Sequence, residues 1–239
     1  VAVTTTPTDI IVAAYAKSIK NKPAHIATEA TELLQLVIRS LRGLYSVGAR
    51  VNPTFFAEDD DITLGSGAWA RPEIAESIFW IERVAGTTGG TGSAGDEVKV
   101  VPFNDRAAEV GMNAVYEFAQ KFKSAGNTPD PTGGDLKFYY SKRPTDPADV
   151  DSVLDALWQE SYNELLILEV AIYLAIKDSR ETEIRNLKGE RDSWARLFIQ
   201  FLEHSTAGRI HRFGQRHTIV TNRLIPLESM FAGGANLAA

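Results

Sequence analysis

Eleven of the twelve residues from Leu165 to Ile176 are apolar or Tyr, and the one charge among them is Glu169. A helix that is apolar all round has to be covered on more than one side. The run is too short to cross a bilayer, which takes about 20 apolar residues. It therefore predicts a central helix with other elements packed around it. Glu169 is the odd residue there. It could be a catalytic acid with a perturbed pKa. The preferred reading is a half-buried carboxylate that meets an Arg or Lys, within the chain or across an interface. Arg191 interrupts the apolar stripe of the following helix, and Glu169 and Arg191 are the candidate salt-bridge or interface residues.

The sequence has 239 residues, 44% of them hydrophobic and 23% charged, which is ordinary for a globular chain able to build a core. A formal net charge of -6 argues against a strongly basic nucleic-acid binder. There are no cysteines, which removes disulfides, thiolate metal sites and Cys nucleophiles together. This fits an intracellular origin or a particle assembled inside a cell. Val1 to Pro7 is polar and Thr-rich, without the basic and apolar regions of a signal peptide, so a soluble chain with no membrane partner is expected.

Thr6-Pro7-Thr8-Asp9 has the order of a helix start, with a capping Thr, a Pro at the first turn and an acid near the positive end of the dipole. This helix is predicted to run to about Lys20. A second follows Asn21-Lys22-Pro23 and carries Ile26, Leu33, Leu34, Val37, Leu41 and Leu44 at helical spacing, ending near Tyr45 where Gly43 and Gly48 loosen it. The chain then changes character. Asn52-Pro53 opens a loop, and Glu58-Asp59-Asp60-Asp61 reads as an acidic loop. Strands are predicted at Ser77 to Val84, Glu97 to Phe103, Ala114 to Lys123 and Asp135 to Lys142, with a short helical turn from Asn104. Together they predict one small antiparallel sheet. From Asp146-Pro147 a long helical segment is expected, with Val153, Leu154, Leu157, Trp158 and Ser161 leading into the apolar run. Asp178-Ser179 ends it. Asp178 and Glu181 have capping-box spacing for a last helix striped by Ile184, Leu187, Trp194, Phe198 and Phe201. The fold class predicted is α+β: two helical hairpins forming a helical bundle, a small antiparallel β-sheet inserted between them, and an extended C-terminal arm. The boundaries are a main domain over 1–206 (helices 7–48, β insertion 62–143, helices 148–205) and an arm over 207–239.

Few motifs point to chemistry. The loop from Gly86 to Gly95 has the composition of a phosphate loop but lacks the Gly-Lys-Ser/Thr that opens a helix, so it reads as a hairpin loop. The acidic run lacks the alternating spacing of a calcium loop. His25, His204, His211 and His217 show no zincin spacing, and no nucleophile elbow occurs. No cofactor, metal or catalytic residue is assigned. Beyond Ser205 helical periodicity stops. Arg209, His211, Arg212, Phe213, Arg216 and Arg223 alternate with apolar anchors such as Ile210 and Ile219. That pattern suits an arm ordered on a neighbouring protein surface, with nucleic acid as the other candidate.

The strand end Lys-Phe-Tyr-Tyr-Ser-Lys-Arg-Pro-Thr-Asp-Pro (137 to 147), the following Trp158-Gln-Glu-Ser-Tyr162 with Leu165 to Ile176, and Glu97 to Asp105 with its Pro and polar turn carry a resemblance. Over roughly residues 7 to 206 the chain resembles the head-to-tail adaptor (connector) proteins of tailed bacteriophages. The long Gly-rich loop and the extended arm depart from that pattern. The resemblance implies a non-enzymatic ring subunit, a dodecamer by that family's usual count, assembled in the host cytoplasm into the virion. It would bind the portal protein on one side and tail or nozzle proteins on the other. Genome DNA would pass through its channel without sequence-specific binding, which an acidic lining suits. The arm, with Arg209, His211, Arg212, Phe213, Arg216 and Arg223, would dock on the portal. The alternatives are another tail-completion or collar protein and, from a different class, a metal-dependent soluble enzyme using Glu169 and the acidic run.

Overall fold

A computed structural model describes residues 3–18, 26–84, 95–107, 114–125 and 135–206, excepting the side chains of 26–30 and 206. Among these residues the chain forms two compact units. Residues up to Phe55 and from Arg143 onward make the helical unit, and Phe56–Lys142 make the β unit.

The helical unit is built on four helices: α1 (Pro7–Lys17), α2 (Ile26–Val51), α3 (Asn163–Lys177) and α4 (Glu181–Thr206). Thr6 caps α1 as its sequence predicts, in a capping box with Asp9 and with Pro7 in the first turn. The helix stops at Lys17, three residues short of the expected end, where Ser18 N–H donates to the Ala14 carbonyl at 2.9 Å. Conversely, α2 runs on past Gly43 and Gly48 to Val51. Each glycine costs a helix about 1 kcal/mol, but Leu44, Tyr45, Val47 and Ala49 are all buried there, and that burial outweighs it. Asn52 then ends the helix. Its side-chain oxygen accepts from Thr54 N and Oγ1, and its Nδ2 donates to the Leu202 carbonyl at 3.2 Å and Ser205 Oγ at 2.9 Å, tying the end of α2 to the end of α4.

The apolar run lies in α3, which packs against α1, α2 and α4. Leu165, Leu166, Leu168, Val170, Ala171 and Ala175 have no exposed surface, whereas Ile176 at the end is 51% exposed. Tyr162, Phe198 and Phe201 close one end of this core, with ring centroids 4.9 and 5.3 Å apart.

The segment before α3 is not the helix its apolar spacing predicts. It is a chain of turns, and only Glu160–Tyr162 makes a 3-10 turn. Short acidic side chains there capture backbone amides and so compete with a helix. Asp149 accepts from Asp151 N and Ser152 N, and Asp155 from Leu157 N at 2.9 Å and Thr145 N at 2.7 Å. Similarly, α4 starts at Glu181 and not where Asp178 would cap it. Asp178 instead caps the end of α3, and Ser179 turns the chain at φ 56.

The β unit corrects the expected fold class. In place of one small antiparallel sheet of four strands inserted in a helical bundle, the described residues hold seven strands in two sheets, with α1 and α2 before them in the chain and α3 and α4 after. The first sheet has the order β1-β7-β3, from Ala57–Ile62, Leu136–Lys142 and Ala75–Arg83. The second has the order β2-β6-β5-β4, from Trp69–Ala70, Lys121–Ser124, Ala114–Phe118 and Lys99–Val100, and its β4–β5 pair is parallel. Trp69, Ile81, Val115, Phe122, Leu136, Phe138 and Tyr140 from both sheets share one core with Val98, just before β4. Three local causes explain the difference. The acidic run is a strand, β1, because backbone pairing to β7 and burial of its partner residues override the poor strand propensity of Asp. The stretch 114–123 is a hairpin and not one strand, turning at Ala119 and Gln120 with φ 52 and 62. Two successive positive φ values are the mark of a tight hairpin turn, usually signalled by Asn-Gly, and neither residue is Gly or Asn. The predicted strand 97–103 pairs as β4 only at Lys99–Val100, and a 3-10 turn over Phe103–Asp105 follows it.

Candidate interaction surfaces

Within the helical unit, α3 and α4 bring Glu169 and Arg191 together. Arg191 Nη1 donates to Glu169 Oε1 at 3.1 Å, and both side chains are 12% exposed. Leu187, Arg191, Ala195, Phe198 and Leu202 follow one another at spacings of three and four, so the guanidinium occupies a core-facing position of the stripe. Its Nε and Nη2 donate to Asp192 Oδ1 at 3.1 and 2.8 Å. Burial pushes the Glu169 carboxyl above its ordinary value, and the Arg191 charge beside it pulls the other way. Chemically this is a neutralised ion pair inside a helix contact, with the carboxylate held by the cation next to it.

Other charged groups of this unit do similar work. Lys17 on α1 bonds to Glu164 and, at 2.6 Å, to Glu190. Glu32 on α2 accepts from Tyr173 and from Lys177, the latter at 2.6 Å. Glu160 holds the chain's start: its Oε1 accepts from Thr4 N at 2.7 Å and Thr5 N at 2.8 Å, and from both hydroxyls. Those Thr4 and Thr5 bonds hold the Glu160 carboxyl down at about 2. The sign follows. A depressed carboxylate contributes its anchoring above the ordinary value of 4.5 and loses it as pH falls through about 2. We expect the Thr4 and Thr5 amide resonances to titrate with a midpoint near 2, and to become insensitive to pH in that range in Glu160→Gln. A midpoint at the ordinary value would refute the anchoring.

In the β unit the acidic strand lies at an edge of the first sheet. Three of its acids pair with two lysines of β7: Lys142 meets Glu58 at 2.9 Å, and Lys137 meets Asp59 at 3.0 Å and Asp61 at 4.0 Å. Tyr140 donates to Asp60 at 2.6 Å. On the opposite face from the core, Tyr139 donates to Glu82 at 2.7 Å, and burial with that hydrogen bond pushes the phenol up to about 12. Among the described residues, no group of three or more His, Asp or Glu is placed to hold a metal ion.

The second sheet presents a different surface. Directly opposite residues of an antiparallel pair share a face, so the pairs Tyr116–Lys123 and Phe118–Lys121 put two aromatics and two lysines together. Phe103 stacks on Phe118 with centroids 5.3 Å apart and meets Tyr116 at 5.7 Å. The Arg106 guanidinium sits 3.8 Å over the Phe103 ring, and Lys123 lies 6.0 Å from the Phe118 centroid. Phe103 and Phe118 are 42% and 51% exposed. Sequence reasoning missed this surface. Its only trace was the alternation of 114–123, which a straight strand would have used to place Phe122 beside Phe118.

The arm residues Arg209, His211, Arg212, Phe213, Arg216 and Arg223 lie outside the described residues, as does the Gly-rich loop up to residue 94. The flanks of that loop are described: Gly95, at φ 81, donates to the Arg83 carbonyl at 2.9 Å, and Arg83 donates to the Asp96 carbonyl at 3.0 Å, closing β3 onto the returning chain. Among the described residues, no helix is long and apolar enough to cross a membrane. Neither a scan against protein-family models nor a search of curated proteins gives a match to this chain.

Proposed function

We propose that the chain is a structural subunit of a tailed-phage virion, a head-to-tail adaptor that joins the portal to the tail in a ring and lines the DNA channel. The observation that carries this reading is the use made of the charged residues in the helical unit. Glu169, the one acidic residue in the apolar run Leu165 to Ile176, is spent on Arg191 across a helix contact. The unit works as a braced scaffold, which an assembly subunit under mechanical load needs. Resemblance of the 137–147 and 158–176 stretches to adaptor proteins supplies the direction. The net charge of -6 supports passage of DNA without retention. The basic arm over 207–239 supplies a portal-docking element, with portal, tail proteins and other copies of the chain as partners.

The test is assembly. Full-length protein mixed with portal particles is expected to give a defined increase in particle mass and a ring visible by electron microscopy. Deleting 207–239 is expected to abolish the binding while leaving the helical circular-dichroism signal in place. Unchanged binding after the deletion would remove the arm from the proposal. No binding by the full chain, with binding to tail particles instead, would favour a tail-completion or collar protein.

A further inference from the structure

The β unit separates its charges onto two surfaces that suit each other. One is the acidic edge strand β1, in which Glu58, Asp59 and Asp61 pair with two lysines within the unit and Asp60 accepts from Tyr140. The other is the aromatic face of the second sheet, with Lys121 and Lys123 exposed, Arg106 over Phe103, and Lys99 opposite Ala114 in the neighbouring strand. Phe103 lies under Arg106, Phe118 lies beside Lys121 and Lys123, and the two rings are 42% and 51% exposed. Exposed aromatics beside an Arg are the usual anchors of protein interfaces, and surrounding charges choose the partner.

We propose that the acidic strand Ala57–Ile62 of one copy docks beside the Phe103–Phe118 face of the next copy. This rests on the reading of the chain as a subunit of a self-assembling ring, and it names the contact. The occupant follows from charge complementarity: in a protein of net charge -6, the acidic strand is a ready match for a basic face, and every copy carries both. Each copy gives its strand to the next and receives one on its face, a heterologous contact of the kind that closes into rings. The aromatic rings would be covered by the neighbour, and the lysines would meet Asp59 and Asp61 at the rim.

Charge reversal tests this with the full chain alone. Asp59→Lys with Asp61→Lys keeps Glu58 and Asp60 but sets two lysines against the basic face. Lys121→Glu with Lys123→Glu keeps Arg106 and Lys99 but sets two glutamates against the acidic strand. Each variant is expected to self-associate roughly a hundredfold more weakly than wild type in sedimentation velocity. An equimolar mixture of the two is expected to regain association, and so is one chain carrying all four changes. That recovery also proves that the variants fold, which matters because Asp59 and Asp61 pair with Lys137. No recovery in the mixture, or association unchanged in both variants, would overturn the proposal. So would single-stranded oligonucleotide binding that Lys121→Glu abolishes while self-association stays intact, since stacked Phe rings and cations also suit nucleic acid. If the proposal fails while arm-dependent portal binding persists, the adaptor reading stands and only this contact falls.

Discussion

Replacing Arg191 by Met is expected to destabilise the helical unit by about 3 kcal/mol, because it leaves the Glu169 carboxylate inside a helix contact without its cation. Adding Glu169→Leu in the same chain is expected to restore most of that loss. A half-buried ion pair is expensive to break and cheap to replace by apolar groups of similar size. Denaturant unfolding of the two single variants and the double variant, read as a cycle, gives the coupling directly. The pH dependence has a definite sign. The folded Glu169 carboxyl is raised above its ordinary 4.5. Its contribution is therefore fully present below that value and is lost as pH rises through the raised one. Relative to Glu169→Gln, the wild type should lose stability across that window. The cost of Arg191→Met should shrink at the acid end, where a neutral carboxyl needs no partner. A cost that does not change with pH would mean that Arg191 acts only through its packing.

The second large effect is expected at Asp155. It is 4% exposed and accepts from the Tyr45 hydroxyl at 2.8 Å, Leu157 N at 2.9 Å and Thr145 N at 2.7 Å. Asp155→Ala strips the acceptor from three donors at once, and each unsatisfied buried group costs about 1–3 kcal/mol. We expect a loss of about 3 kcal/mol or more in denaturant unfolding. Tyr45→Phe removes one of the three bonds and keeps the ring that stacks on Trp158. It is expected to cost about 1 kcal/mol. Equal losses from the two variants would show that the Tyr45 bond alone carries the effect and that the captured amides contribute little.

Asp155 also illustrates why the segment before α3 was illegible. Its neighbours Val153, Leu154, Leu157 and Trp158 have the spacing of a helix face, and apolar spacing is the main signal available without a structure. What defeats the helix is the Asp155 carboxylate. It bonds to the amide of Leu157, two residues on, and to that of Thr145, ten residues back. A bond to a distant amide leaves no periodic trace. The first helix start shows the opposite case: Thr6, Pro7 and Asp9 act on one another within one turn, so a local pattern suffices.

The sequence by itself determined that Leu165 to Ile176 is a covered helix, that Thr6 begins another, and that strands lie around 77–84 and 135–142. These depend on periodicity and short-range capping. It also marked Glu169 and Arg191 as the two residues out of place in apolar stripes, although only the packing of α3 on α4 set them 3.1 Å apart. Tertiary structure alone decided that the acidic run is an edge strand, because its register to β7 is a long-range choice. It alone decided the face of the second sheet as well. The turn at Ala119–Gln120 shifts the pleat by one residue, which sends Phe122 into the core and brings Lys121 and Lys123 beside Phe118 and Tyr116. A side-chain period of two makes one turn residue enough to exchange the two faces, and nothing in the composition of Ala-Gln announces that turn.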